Sequence, residues 1–305
     1  MNAQLTRVAV LLALVLLVII ASAVSGLMLL SARRSNRPIK NRWFPRLALS
    51  LLALGLACFG YGLFIEADWV EVTHVTVETN KWPAGKRLKL ALLSDFHVDR
   101  QSRALTRVAE LVGAEQVDLI VFAGDSLNRA EAAPLFRATL GGLPARLGRV
   151  AVRGNHDVAH WSKIDLFGGG IATELMTDAP VMFDEGRLAV CGAPYWGLEG
   201  VESCLAHAPK EAFVMFVYHS PDLVEQLVPA PDLYLAGHTH GGQVALPIYG
   251  ALMTMSVFDK RFEGGLYTVA KTTLYVNRGI GFEPHMPRVR FFARPEVTII
   301  EIVGK

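Results

Sequence analysis

Five short clusters along the chain hold the residue types that bind borderline divalent metals. They are Asp95-x-His97, Gly124-Asp125-x-x-Asn128, Gly154-Asn155-His156-Asp157, His219 and Gly237-His238-x-His240. Each alone has an ordinary reading. Gly-Asp after a strand makes a turn, Gly-Asn-His-Asp makes a loop with capping residues, and a single histidine after an apolar run sits hydrogen-bonded in a core. Together they point to metal-assisted chemistry on a phosphoester. Two metal ions about 3.5–4 Å apart can hold both the attacking and the leaving oxygen of an in-line displacement. Dications that close need an anionic ligand between them, so one carboxylate should bridge. Imidazoles and an amide oxygen fill outer positions without cancelling the Lewis acidity. Water bound there loses a proton near neutral pH and becomes a hydroxide nucleophile. The glycines beside the ligands let the backbone turn sharply and let a substrate approach.

The elements that must position these clusters are visible in the hydropathy pattern. The runs 88–95, 118–125, 149–157, 212–220 and 232–240 are each apolar and end in one of the clusters. Continuous apolar runs of this length describe strands buried on both faces. Between the first two, residues 103–116 place Leu105, Val108, Leu111 and Val112 at helical spacing. Strand, helix, strand predicts an α/β architecture. In such sheets ligands bind beyond the carboxyl ends of the strands, and all five clusters fall there.

Before this region the composition changes. Apolar residues make up 52% of the 305, and mean hydropathy is +0.34, but the excess is local. Val8 to Leu30 and Leu47 to Ile65 contain no charge over 23 and 19 residues. Each is long enough to cross a hydrocarbon core of about 30 Å. The sixteen residues between them carry Arg33, Arg34, Arg37, Lys40, Arg42 and Arg46 and no acid. Short basic loops stay in the cytoplasm, which places both the N-terminus and everything after Ile65 outside. A cleaved signal peptide ending near Ala21-Ser22-Ala23 is the competing reading, but it would export the basic loop. The expected organisation is a transmembrane helical hairpin over residues 1–69, with Trp69 at the interface, and one domain over 70–305 that opens with an alternating strand at 70–79. The expected location is a bacterial inner (cytoplasmic) membrane, multi-pass, with the domain on the outer (periplasmic) side. Net charge is only +2, with the positive charge gathered in the hairpin loop, so no nucleic acid is expected as a partner.

The ordered set DFH, GDSLN, GNHD, H and GHTH resembles the calcineurin-like metallophosphoesterase family, with every motif present between Asp95 and His240. The resemblance implies two mixed β-sheets packed as a sandwich flanked by helices. It implies a dinuclear site in which Asp95, His97 and His240 hold one metal, Asn155, His219 and His238 hold the other, and Asp125 bridges. His156 would be catalytic, contacting phosphate and protonating the leaving oxygen. Asn128 falls where many members have an Asp paired with that histidine, which weakens the expected proton donation. Asp157 is expected to cap the following helix. The GHTHGGQ motif, 218-YHSPD-222 and 290-RFFARPEVTIIEI-302 are similar to a membrane-associated bacterial branch. Some of its wider relatives cleave phosphodiesters. A related set hydrolyses the pyrophosphate of UDP-2,3-diacylglucosamine, a cytoplasmic substrate of lipid A assembly.

The leading expectation is therefore a membrane-anchored phosphodiesterase using two divalent ions (Mn, Fe, Zn or Co) on a phosphoester substrate, lipid-linked ones included. The alternatives are a UDP-2,3-diacylglucosamine-type pyrophosphatase and a noncatalytic metal-binding membrane scaffold. A scaffold needs neither a complete ligand set nor His156. Four further features carry two readings each. Arg100 and Arg153 bind a second anion or are solvated charges. Residues 158–170, with Trp161 and Phe167, form a flap or an ordinary helix and turn. Residues 282–292 dip toward lipid or make an exposed loop. Cys191 and Cys204 pair or stay as buried thiols, while Cys58 lies in the second apolar segment. His74, His160, His207 and His285 receive no role.

Overall fold

Strands that are apolar on both faces need cover on both faces, and two sheets with three helices supply it. The computed structural model describes every residue except Met1, Arg37, Pro38, Lys40, Thr177 and His285. Arg37 and Lys40 of the basic loop and the unassigned His285 thus lie outside the described residues.

Two long helices come first, α1 (Asn2–Arg34) and α2 (Trp43–Phe64). Both are long and apolar enough to cross a membrane. At 1.5 Å per residue α1 measures about 50 Å. They lie against each other, with Ser22 Oγ donating to the Ala48 carbonyl at 2.9 Å. There follow β1 (Glu71–Ala84), β2 (Arg87–Leu93), α3 (Arg103–Glu115), β3 (Leu119–Phe122), α4 (Ala133–Gly142), β4 (Gly148–Ala151), α5 (Asn155–His160) and β5 (Thr173–Glu174). The second half runs β6 (Val181–Phe183), β7 (Leu188–Gly192), α6 (Val201–His207), β8 (Phe213–Val217), β9 (Leu233–Ala236), β10 (Ala245–Leu246), β11 (Gly250–Ala251), β12 (Gly265–Val269), β13 (Thr272–Val276) and β14 (Glu296–Gly304).

One six-stranded sheet has the order β1-β14-β2-β3-β4-β5, the other β12-β13-β9-β8-β7-β6. Both are mixed: β2, β3, β4 and β5 run parallel, as do β7, β8, β9 and β13, while β14 is antiparallel to β2 and β6 to β7. Alternate side chains of a strand point to opposite faces, and the cores follow that rule. Leu88, Leu90 and Leu92 of β2 share the inter-sheet core with Val190, Phe213, Met215 and Leu235 of the other sheet. Ala91 and Leu93 turn the other way, into a core with Ile120, Phe122, Val108 and Val112 of α3, and Phe136 and Leu140 of α4. The second sheet's outer face, through Phe216 and Tyr234, packs with Val201 and Leu205 of α6. The sandwich flanked by helices is as expected.

Local signals set the ends of the elements. Ser102 caps α3, its side chain accepting from the Leu105 amide at 3.2 Å, which satisfies one of the helix's free donors. The strand expected at 70–79 runs on to Ala84: β1 pairs in parallel with β14 from Glu71↔Glu296 to Thr79↔Gly304 and, after a register shift, again at Ala84↔Gly304. Cys191 of β7 and Cys204 of α6 form a disulfide across that outer core.

Candidate metal centre

The carboxyl ends of β2, β3, β4, β8 and β9 meet at one edge of the sandwich, and they bring all five clusters together. Asp95 and His97 follow β2, and Asp125 follows β3. The Asp95 amide donates to the Gly124 carbonyl at 2.8 Å and the His97 amide to the Asp125 carbonyl at 3.1 Å, which ties the first two loops together. Asn155 and His156 open α5, His219 follows β8, and His238 and His240 follow β9. Five of these residues take left-handed backbone conformations although none is glycine: Asp95, His97, Asp125, His238 and His240 have φ between 43° and 73°. Such conformations cost about 1–3 kcal/mol each and gather at functional sites. The turn-making expected of the neighbouring glycines is therefore shared by the polar residues themselves.

The glycines serve a different need, close approach. A Cβ on Gly154 would lie 2.5 Å from the Asp125 amide, and one on Gly237 would lie 2.5 Å from both Asp95 Oδ2 and Ser94 Oγ.

Asp125 Oδ2 is the hub. It lies 3.2 Å from His219 Nε2 and 3.5 Å from His97 Nε2. Asp95 Oδ1 lies 3.4 Å from His240 Nε2 and 3.8 Å from His219 Nε2. Two triplets, Asp95/His97/His240 and Asp95/Asp125/His219, each bring three potential ligand atoms within 4.8 Å of one another. Asp95 Oδ1, His97 Nε2, Asn155 Oδ1 and His219 Nε2 are buried and have no hydrogen-bond partner among the described residues. Buried polar atoms are otherwise nearly always paired, so this donor set fits divalent cations. His238 stands beside His219, ring centroids 4.9 Å apart, with its amide donating to Asp95 Oδ2 at 3.0 Å.

Partners behind the cluster fix its geometry. His219 Nδ1 donates to the Ala123 carbonyl at 2.7 Å, and His97 Nδ1 donates to Asn128 Oδ1 at 2.8 Å. Each bond fixes the ring so that Nε2 faces the cluster, the arrangement that orients ligating imidazoles. Asn128 therefore serves His97, and the expected pairing with His156 does not occur. Asp157 accepts from the Gly154, Asp125 and Ser126 amides at 2.9–3.0 Å. It caps α5 as expected and also holds the loop that carries Asp125. The His156 amide donates to Asp125 Oδ1 at 2.9 Å.

Charge is concentrated here. Burial pushes the Asp125 carboxyl up, but the charges of His219, His97 and His156 together hold it well below the usual carboxylate range. Burial disfavours the charged form of His219, and Asp125 and Asp95 outweigh it, raising the imidazole to about 10. Burial, then the positive charges of His97 and Arg290, keep His240 well below its usual value.

His156 stands at the rim, its ring 5.1 Å from that of His97. Its actual partner is Glu283, whose Oε1 lies 3.2 Å from Nε2. Burial lowers the His156 imidazole, and Glu283 and Asp125 raise it beyond that loss. The sequence reading missed Glu283 because it lies outside the five clusters. The Gly-rich 278-RGIGFEP-284 was the available signal: a Cβ on Gly279 would lie 2.5 Å from the Asp95 Cβ. Arg290, also missed, is fully buried. It donates to the Gly281 and Ala293 carbonyls at 2.6 and 2.9 Å and lies 3.4 Å from His240 Nδ1.

The other double readings resolve as follows. Arg153 is neither an anion site nor a solvated charge, since it binds Glu174 at 2.6 Å and the Trp161 and Ile164 carbonyls. Arg100 is exposed. Residues 158–170 are no flap: Leu166 and Phe167 are buried in the core with Phe122 and Phe136. In 282–292, Phe282, Val289 and Arg290 are buried while Phe292 is exposed. That segment forms the wall of the site more than a surface loop.

The family profile described as calcineurin-like phosphoesterase matches residues 88–242, the stretch that holds all five clusters. The chain is 28% identical over 284 residues to YkuE of Bacillus subtilis, an uncharacterized metallophosphoesterase, covering 88% of this chain and 98% of that protein. It is 30% identical over 262 residues to the phosphodiesterase YaeI of Escherichia coli, covering 80% and 93%. It is 25% identical over 275 residues to the UDP-2,3-diacylglucosamine pyrophosphatase LpxG of Chlamydia muridarum, covering 70% and 83%. The chain belongs to the calcineurin-like phosphoesterase family and is a hydrolase of phosphoester bonds.

Proposed function

We propose that the chain is a membrane-anchored phosphodiesterase with a dinuclear metal centre, residues 1–69 forming the anchor and 70–305 the catalytic domain. The observation that supports this best is the gathering of Asp95, His97 and His219 around Asp125, with Asp95 Oδ1, His97 Nε2, His219 Nε2 and Asn155 Oδ1 all buried without a hydrogen-bond partner among the described residues. Asp95, His97 and His240 hold one ion; Asn155, His219 and His238 hold the other; Asp125 spans both. Bound divalent ions supply Lewis acidity toward a phosphoryl oxygen and activate water at neutral pH. The ions are drawn from Mn, Fe, Zn or Co by availability.

The chain's own residues do the rest. Asn128 and the Ala123 carbonyl aim His97 and His219. Asp157 and the His156 amide lock Asp125. His156, its charged form favoured by Glu283, donates a proton from its imidazole to the leaving oxygen. The test is hydrolysis of a chromogenic aryl phosphodiester with Mn²⁺ and other divalents, before and after chelation, with metal content measured alongside. Activity should vanish on chelation and return with metal. Two ions bound per chain without turnover would favour the scaffold reading.

The anchor reading extends to location, a bacterial inner membrane with the domain on the periplasmic side. Arg33 and Arg34 at the end of α1, Arg42 in the connection and Arg46 in the first turn of α2 support a cytoplasmic turn. The Cys191–Cys204 disulfide suits an oxidising compartment. The likeness to LpxG favours a second reading, a pyrophosphatase acting on a nucleotide-linked lipid. The side of the membrane on which the domain lies separates the two.

A further inference from the structure

Beside the candidate metal centre lies a cavity of about 230 Å³ lined by two unlike sets of side chains. His238, His240 and Glu283 belong to the reaction; Met253, Met255 and Met286 do not. The second set is thioether and methylene, unbranched side chains that adapt to flexible apolar partners. Met255 is 59% exposed, and Val257 beside it 78%.

The position of this mouth is set by α1. Gln4 donates from Nε2 to the Ser256 carbonyl at 3.1 Å and accepts from the Thr254 amide at 3.1 Å. Arg7 donates from Nε to the Leu252 carbonyl at 3.0 Å and pairs with Asp259. The apolar run of α1 begins at the next residue, Val8. The loop that carries Met253 and Met255 is therefore pinned to the foot of a helix long enough to cross a membrane. On the other side of the site, Arg290 donates its amide to the Gly62 carbonyl of α2 at 3.2 Å. Both helices thus touch segments that line the site, which would set the apolar mouth near the bilayer surface with the helices spanning it as proposed.

We infer that this cavity receives a hydrocarbon chain of a membrane lipid whose phosphate sits at the metal centre. The inference rests on the phosphoesterase site proposed above and adds its substrate class, a phosphoester bearing an alkyl or acyl chain. The chain enters from the bilayer past Met255, while the head group faces His156.

The test uses the full chain in detergent, loaded with Mn²⁺. Calorimetry measures binding of alkylphosphonates from methyl to decyl, and turnover of methyl p-nitrophenyl phosphate is followed in parallel. Dissociation constants, referred to ligand free in water outside the micelles, should fall about fourfold per added methylene and then level off as the cavity fills. Met253→Asn and Met286→Asn should each flatten that slope and leave the methyl compounds within about twofold of wild type. Micelle partitioning is common to all three proteins, so the difference in slope reports the cavity. A flat series in the wild type, or the wild-type slope in both folded variants, overturns the inference. Absent turnover with the slope intact instead counts against the phosphodiesterase reading alone.

Discussion

At the scale of single residues the site divides into groups that hold charge and groups that aim them. Asp125→Ala should leave the chain with neither metal and no activity, because Oδ2 faces His97 and His219 at once. Metal analysis that still finds two ions per chain refutes the bridging role. His156→Ala should keep both ions and lose turnover by about 10²–10⁴-fold, the range for a general acid. Glu283→Gln should also keep both ions and slow turnover less; a rate equal to wild type would show that another group holds His156. The ligand types were legible in the sequence because ligation demands Asp, Asn and His. Glu283 was not, since a partner that acts through another side chain leaves no spacing rule. Asn128 was legible as a site residue, but the histidine it serves was set by the tertiary fold.

At the scale of elements, each cluster sits at a strand's carboxyl end and reaches its neighbour through a glycine. Gly154 has an ordinary φ of −81°, so alanine there strains no backbone. Its Cβ would instead collide with the Asp125 loop. Gly154→Ala should therefore lower metal content and activity several-fold while the far-ultraviolet circular dichroism spectrum stays native. Wild-type metal content would show that the loops have slack. Strand placement was readable because strands buried on both faces must be apolar throughout. The left-handed turns at Asp95, His97 and Asp125 were not, because propensity assigns that conformation to glycine first. Residues 158–170 misled because glycines and aromatics fit a mobile loop as well as a packed one, and only the core shows that Phe167 is taken.

At the scale of the molecule, the proposed anchor raises the question of which side of a membrane the site would face. A phosphatase reporter that works only outside the cytoplasm, fused after residue 70, should be active. A signal restricted to a cytoplasmic reporter would sink the placement and favour the pyrophosphatase reading. The two long apolar helices were legible from length and the absence of charge alone. The contacts of Gln4 and Arg7 with the 252–259 loop were not, because they join residues some 250 positions apart by hydrogen bonds that no periodicity encodes.

The place of β14 in the first sheet bears on how the domain is made. It lies between β1 and β2, so the strand that leaves α2 has no partner until residues 296–304 arrive. Until then the sheet lacks the strand between β1 and β2, and the apolar faces of Ile299, Ile300 and Ile302 that fill the cores on both sides are absent. The first sheet can close only once residues 296–304 are in place. For a domain exported as proposed above, the chain has to stay unfolded in transit, and this strand order would delay closure until those residues have crossed.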